Sequence, residues 1–189
     1  MKIEIHQVFC YCTLILLLFG CQHLKTGEQY YQKGLVHFKS GDHGDYHDLK
    51  QIELAIEDFE MSIKKGFKQR DVFDKLTWCY RVLNDDNEDM ERIYSLALSN
   101  FPKDIEFYFR RGGCRKELKQ HKAALKDFDQ AILIDKKRQY EYINDAFYER
   151  GAMKHILGDT VNANKDRILA QRMIDYELRT YQDYCKLWQ

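Results

Sequence analysis

Apolar and charged positions alternate along this chain in blocks that repeat. Residues 55–63 read A-I-E-D-F-E-M-S-I and residues 124–132 read A-L-K-D-F-D-Q-A-I, two near copies with an aromatic four positions after an alanine. Positions three and four apart share one face of a helix, so each block predicts an amphipathic helix with its small and aromatic side chains turned inward. A second wording, aromatic-aromatic-x-basic-Gly, occurs three times: Tyr30-Tyr31-Gln32-Lys33-Gly34, Tyr108-Phe109-Arg110-Arg111-Gly112 and Phe147-Tyr148-Glu149-Arg150-Gly151. Near the end, Ile174, Leu178, Tyr181, Cys185 and Trp188 recur at helical spacing with no breaker between them, which predicts one closing helix over 174–189. A single proline, Pro102, and ten glycines in 189 residues leave few interruptions, so the expected class is all-α.

Self-similarity of this kind resembles the tetratricopeptide repeat, a 34-residue pair of antiparallel helices with small residues at repeat positions 8, 20 and 27 and aromatics at 4 and 24. Tyr108, Gly112, Ala124, Phe128 and Ala131 match those five positions in the segment 104–138. In 69–103, Phe73, Leu76, Thr77 and Tyr80 fit the first helix and Tyr94, Ala97 and Pro102 the second, with one extra residue in the inner turn. In 28–66, Tyr30, Gly34, Ala55, Phe59 and Ser62 fit around about nine inserted residues. In 143–173, which follows an insertion near 137–141, Phe147, Gly151, Gly158, Ala163 and Ala170 fit, while Arg167 stands where the aromatic of position 24 belongs. The resemblance implies a right-handed superhelical stack of about four hairpins over 28–173, closed by the helix at 174–189. A lone hairpin cannot bury its apolar face, so several must stack.

Such a stack has a concave groove, and the family's geometry turns positions 2, 5, 9, 12 and 13 into it. Carried onto this sequence, the implied lining includes Tyr31, Leu35, Phe38, Trp78, Arg81, Phe109, Lys116, Tyr148 and His155. Family members that clamp a partner's C-terminal carboxylate carry Lys at position 5 and Asn at position 9. Here position 5 holds Tyr31, Asp74, Phe109 and Tyr148, and position 9 holds Leu35, Trp78, Gly113 and Ala152. That clamp is absent. The aromatic lining favours an apolar or extended peptide with aromatic anchors.

The start of the chain changes where such a groove works. Residues 8–19 form a run of twelve without charge, too short for a membrane-spanning helix and the length of a signal-peptide core. The run closes on Leu18-Phe19-Gly20-Cys21, which resembles the lipobox of bacterial lipoproteins. Phe19 is bulkier than the usual residue there, and the basic start is reduced to Lys2 beside Glu4. The resemblance implies removal of residues 1–20 as a signal peptide, acylation of Cys21 and a short tether over 21–27. Gln22 is not the aspartate that resembles an inner-membrane retention signal, so the expected address is the periplasmic face of the outer membrane in a Gram-negative bacterium. Loss of 1–20 also removes Cys10 and Cys12, leaving Cys79, Cys114 and Cys185 for packing rather than for a disulfide framework.

Composition narrows the function. Thirty basic and thirty acidic residues balance, so the basic excess of a nucleic-acid binder is missing. No glycine-rich phosphate loop, HExxH or GxSxG motif occurs, and neither an enzyme activity, a cofactor nor a small-molecule substrate is expected. The inserted loop Ser40-Gly41-Asp42-His43-Gly44-Asp45-Tyr46-His47-Asp48 gathers metal-ligand types without calcium-loop spacing, and reads as a solvated loop rather than a metal site. The acidic run 84–89 falls where a helix begins and reads as its cap. The expected role is a membrane-anchored scaffold that binds a protein or peptide partner in its groove. The alternatives are an accessory subunit of an outer-membrane assembly, pilus or secretion complex that acts by oligomerisation, and a sensing subunit on a membrane enzyme.

Overall fold

The computed structural model describes residues 25–44, 46–83, 86–173 and 177–187. The signal segment, Cys21 and most of the tether lie outside the described residues, as do Asp45, Asn84, Asp85, Ile174 and Trp188. Eight helices run in four antiparallel hairpins: α1 (Gly27–Gly41) with α2 (Leu49–Lys64), α3 (Arg70–Leu83) with α4 (Asn87–Asn100), α5 (Ile105–Glu117) with α6 (His121–Ile134), and α7 (Ile143–Ile156) with α8 (Thr160–Gln171). A single turn, α9 (Tyr181–Tyr184), and a 3-10 turn (Cys185–Leu187) close the chain. Among the described residues there is no strand beyond an isolated bridge of Asp42 with His47, so the fold is the expected all-α superhelical stack.

Acidic and hydroxyl side chains start five of these helices by accepting from otherwise unpaired backbone N–H groups. Thr26 and Gln29 form a capping box at α1, so the helix begins at Gly27, within the predicted tether. Asp48 caps α2, Asp104 caps α5 and Asp159 caps α8. Asp86, at the centre of the acidic run, accepts from Glu88 N at 2.8 Å and caps α4, as its sequence position predicted. Glycine ends α7 in the left-handed region (Gly158, φ 92°); at the equivalent end of α5, Lys119 adopts the same conformation (φ 56°) despite its Cβ.

Small residues set the crossing of the paired helices. A Cβ at Gly34 would lie 2.7 Å from the ring of Phe59, and one at Gly112 would lie 2.8 Å from the ring of Phe128. Ala55, Ala97, Ala124, Ala131 and Ala163 are fully buried between helices. Two apolar clusters result, one through α1–α5 around Phe59, Phe73, Leu76 and Phe107, the other through α6–α9 around Phe128, Phe147 and Met153. Cys79, Cys114 and Cys185 are buried in these clusters. Burial pushes the Cys79 thiol up to about 12 and the Cys185 thiol up to about 11, so both pack as small apolar groups.

The unbroken closing helix is corrected. Glu177–Thr180 is not helical, and Thr180, in an extended conformation (ψ 152°), caps a new short turn by accepting from Asp183 N. Gln171 Oε1 at the end of α8 accepts from Leu178 N at 2.8 Å, which fixes the chain where it leaves the stack. The apolar period of this segment fits a helix, but a bend before residue 181 lets Tyr181 and Cys185 turn back onto α7.

Candidate functional site

The first helices of the hairpins, α1, α3, α5 and α7, carry the predicted groove residues, and the structure separates those residues into three groups. At α1, Tyr31 is buried, stacks on Phe67 with ring centres 4.8 Å apart and donates its hydroxyl to Asp71. Burial and that carboxylate push its phenol up to about 12. Tyr31 therefore ties the first hairpin to the second and presents little surface. Leu35 and Phe38 pack against the first cluster at its edge. Phe38 lies 4.8 Å from Trp78, with the Lys75 ammonium 5.7 Å over its ring. His47 from the inserted loop meets Trp78 edge-on at 5.3 Å, so that loop folds against the groove. No group of three potential metal ligands converges among the described residues.

The middle of the face, over α3 and α5, is open. A cavity of about 320 Å³ is lined by Arg81, Met90, Tyr94, Phe109, Arg110, Gly113, Cys114, Phe128, Glu117 and Glu149. A smaller one of about 160 Å³ adjoins it and shares Arg81, Tyr94 and Arg110. Tyr140, in the insertion near 137–141, and Tyr142 just after it reach this face and pack on Phe109 at 6.0 and 6.1 Å. Asp135 holds that loop in place by accepting from Gln139 N and Tyr140 N. No periodicity signals this, because the loop has no repeat register.

The open stretch is more charged than the aromatic lining predicted. Arg70 spans three carboxylates, Asp74 at 2.5 Å and Asp104 and Glu106 at 2.6 Å each. Burial, with repulsion from Glu106 and Asp104, holds the Asp74 carboxyl up at about 6 even though Arg70 opposes the shift. One guanidinium shared among three carboxylates neutralises Asp74 incompletely.

The last stretch, over α7, is covered by the chain itself. Tyr181 donates to the backbone oxygen of Tyr148 at 2.9 Å, and the Tyr148 hydroxyl donates to Arg179 O at 3.0 Å. Tyr184 donates to Glu149 Oε1 at 2.5 Å, Lys116 Nζ donates to both Glu149 and the Tyr184 hydroxyl, and His155 lies 6.0 Å from the Tyr181 ring. Tyr148, His155 and Lys116 are thus contacts of this strap rather than open lining. Of the nine residues, Trp78, Arg81 and Phe109 border the open cavities, with Phe38 beside Trp78.

One recurring feature escaped the sequence reading. The basic residue before each motif glycine reaches a buried aspartate in the paired helix: Lys33 to Asp58 at 3.0 Å, Arg111 to Asp127 at 2.9 and 2.7 Å, and Arg150 to Asp166 at 2.9 and 2.5 Å. A second basic group one turn on completes each set, His37 at 3.6 Å, Arg115 at 2.9 Å and Lys154 at 2.7 Å. The repeated aspartate was visible in both near copies, directly before the aromatic. The α3–α4 hairpin lacks the set and uses Leu76 and Ile93 in the cluster instead.

Comparison with known proteins agrees with this architecture. The tetratricopeptide-repeat family pattern matches residues 105–138, the third hairpin with its following loop. No curated protein matches the chain by sequence. Among solved structures, YrrB, described as a TPR protein with an unusual peptide-binding site, is similar with a TM-score of 0.58 and 20% identity, over 78% of this chain and 68% of that one. MamA is similar with a TM-score of 0.56 and 16% identity over 66% of this chain and 69% of that one. MamA of Desulfovibrio magneticus RS-1 gives 0.56 and 14% over 79% and 78%. At these identities the likeness concerns the fold alone.

Proposed function

Given a chain with the tetratricopeptide-repeat fold, we propose that it is a binding scaffold, not a catalyst, that holds a segment of a partner protein on the concave face over α3 and α5. The observation that carries this reading is the pair of adjoining cavities there, the larger walled by Met90, Tyr94, Phe109 and Phe128 and the smaller lined mainly by charged side chains beside Trp78. Concave, largely apolar sites with a few placed polar groups are where ligands bind. The peptide-binding site named for YrrB is consistent with the same use of the fold.

In the same reading, Cys21 carries the acyl chains and keeps the stack at a membrane, on the periplasmic face of the outer membrane. More than one chain gives stable anchoring. Tethering would raise the effective concentration of the partner without any new contact. Two experiments test the two halves. Labelled palmitate should enter the wild-type chain and not a Cys21→Ala variant; incorporation in both would take the lipid off Cys21, and incorporation in neither would remove the anchor. Crosslinking in cells followed by purification should recover a partner with the wild type and lose it with a folded Trp78→Ala/Phe109→Ala variant. Unchanged recovery would remove the groove.

A second reading, oligomerisation, is favoured by one observation: Val161 and Ile168, seven residues apart on one face of α8, are 68% and 42% exposed. Light scattering that gave a monomer mass would dismiss it.

A further inference from the structure

We propose that the end of the first hairpin where the chain enters it sits on anionic lipid headgroups and holds the stack against the membrane with that end down. The proposal rests on the acylated Cys21 of the reading above and names the face that the anchor brings to the lipid.

Topology gathers the residues. The turn 65–69 joins α2 to α3, and the start of α1 lies against it: a Cβ at Gly27 would be 2.8 Å from the Phe67 Cβ and 2.9 Å from the Ser62 oxygen. Gly66 makes the turn in the left-handed region (φ 90°), Phe67 N donates to Ser62 O at 3.1 Å, and the Phe67 ring stacks on Tyr31. The aromatic seats the turn, and what stays outside is lysine. Lys64, Lys65 and Lys68, with Lys25 from the entering chain, are all exposed.

Charge decides what this end can face. None of the four lysines is in an ion pair among the described residues. Glu60, one turn before Lys64, is held by Arg92 at 3.0 Å, and Asp71 by Lys75 at 2.6 Å. Glu28 is exposed, and Arg70 shares its three carboxylates on the groove side, next to exposed Lys103. With every one of these groups counted, eight cations stand against six carboxylates. The excess is local. At the other end of the same hairpin, Lys39 and Lys50 are matched by Asp42 and Asp48, and the whole chain is neutral.

The tether names the occupant. Cys21 stands four residues before Lys25, and four residues reach at most about 14 Å when fully extended. Acyl chains on Cys21 therefore bring the headgroups to this end of the hairpin. The other end of α1, fifteen residues on, lies about 20 Å further from the tether. A basic side chain near an anionic surface strengthens binding about fivefold. One anchor alone leaves a stack free to turn on its tether; a second contact beside it fixes which way the groove faces.

The test uses the protein purified in detergent and reconstituted at low salt with vesicles of phosphatidylcholine, alone or mixed with phosphatidylglycerol. Its lysines are acetylated chemically and read one by one by mass spectrometry. Lys25, Lys64, Lys65 and Lys68 should react severalfold more slowly on the anionic vesicles, while Lys39 and Lys50 react as on the neutral ones. High salt should remove the difference. Lys64→Gln/Lys65→Gln/Lys68→Gln should also remove the protection of Lys25, and Lys39→Gln/Lys50→Gln should leave it. Equal reactivity of the two ends on both lipids, or Lys25 still protected in the triple variant, would overturn the seat. Flotation with the neutral vesicles reads the anchor by itself, because it needs no charge. Protein that floats with them but shows no protection keeps the anchor and loses the seat. Protein that floats only with the anionic vesicles, with the turn protected, has the seat without the acyl chains. Flotation with neither overturns both.

Discussion

In the third hairpin the glycine at the helix crossing, Gly112, faces the ring of Phe128 from its own second helix. In the fourth hairpin the equivalent Gly151 faces the hydroxyl and ring of Tyr181, which comes from the closing strap. Arg167 holds the place of Phe128 there, so the fourth hairpin cannot fill its own crossing and borrows an aromatic from beyond itself. Both hairpins otherwise share the same devices, a buried aspartate clamped by two basic side chains and an α helix end in the left-handed region. The difference lies in what depends on what. The third hairpin is closed by local residues, while the fourth is complete only when the strap is docked, and the docked strap closes the end of the groove.

The largest effect should come from Phe128→Ala. Removing a fully buried aromatic costs about 3–5 kcal/mol, and here the void would open at the Gly112 crossing and beneath the groove cavity. Urea melts followed by circular dichroism should show the whole stack weakened, because neighbouring hairpins share that interface. A loss below about 1 kcal/mol would mean the crossing is not held by this ring. Asp127→Ala comes next. It leaves Arg111 and Arg115 partly buried around an empty place, and loss of one partner of a buried ion pair costs about 3–5 kcal/mol. Asp58→Ala should cost clearly less, since the Lys33 side chain is 45% exposed and His37 lies at 3.6 Å. Equal losses at the two sites would show that burial of the cations does not set the difference.

Tyr181→Ala should break the comparison in a different way. The strap should detach, so amide exchange over 177–187 should rise by orders of magnitude while α5 and α6 stay protected. Introducing Arg167→Phe into that background should restore part of the lost stability of α7 and α8, as in the third hairpin, without restoring protection of the strap. Global unfolding of the Tyr181→Ala variant, or no rescue by Arg167→Phe, would show that the strap supports more than one crossing.

The four hairpins were legible in the sequence because their signals are local: small residues and aromatics at fixed offsets decide how closely two consecutive helices approach. Gly34, Gly112, Phe59 and Phe128 all sit where that spacing put them. The strap was not legible. An apolar period states which side chains seek the core, and Tyr181 and Cys185 do reach it, but the period does not state that Glu177–Thr180 bends between. The groove was read in part. Position within a repeat aims a side chain at the concave side, as for Trp78, Arg81 and Phe109. It does not say which neighbour will meet it there, and so Tyr31 met Asp71, and Tyr148 and Lys116 met the strap. The aspartate clamps repeat as clearly as the glycines do, but a repeated aspartate does not name its partner, which lies on the other helix of the hairpin.

The smallest effect concerns the ends of the two first helices. Leu118, Lys119 and Gln120 return N–H groups to Cys114, Lys116 and Arg115, and Leu157, Gly158 and Asp159 do the same to Met153, His155 and Lys154. The bonds are equivalent, yet one turn is made by glycine and the other by lysine at φ 56°. A left-handed residue with a Cβ costs about 1 kcal/mol, and glycine gives part of that back through the greater freedom it has when unfolded. Lys119→Gly should therefore raise stability by up to about 1 kcal/mol, and Gly158→Lys should lower it by a similar amount. Urea melts of the two variants check both signs. A stabilised Gly158→Lys would mean that the turn after α7 is held by the docked strap rather than by its own backbone, and that the fourth hairpin leans on that segment at both of its ends.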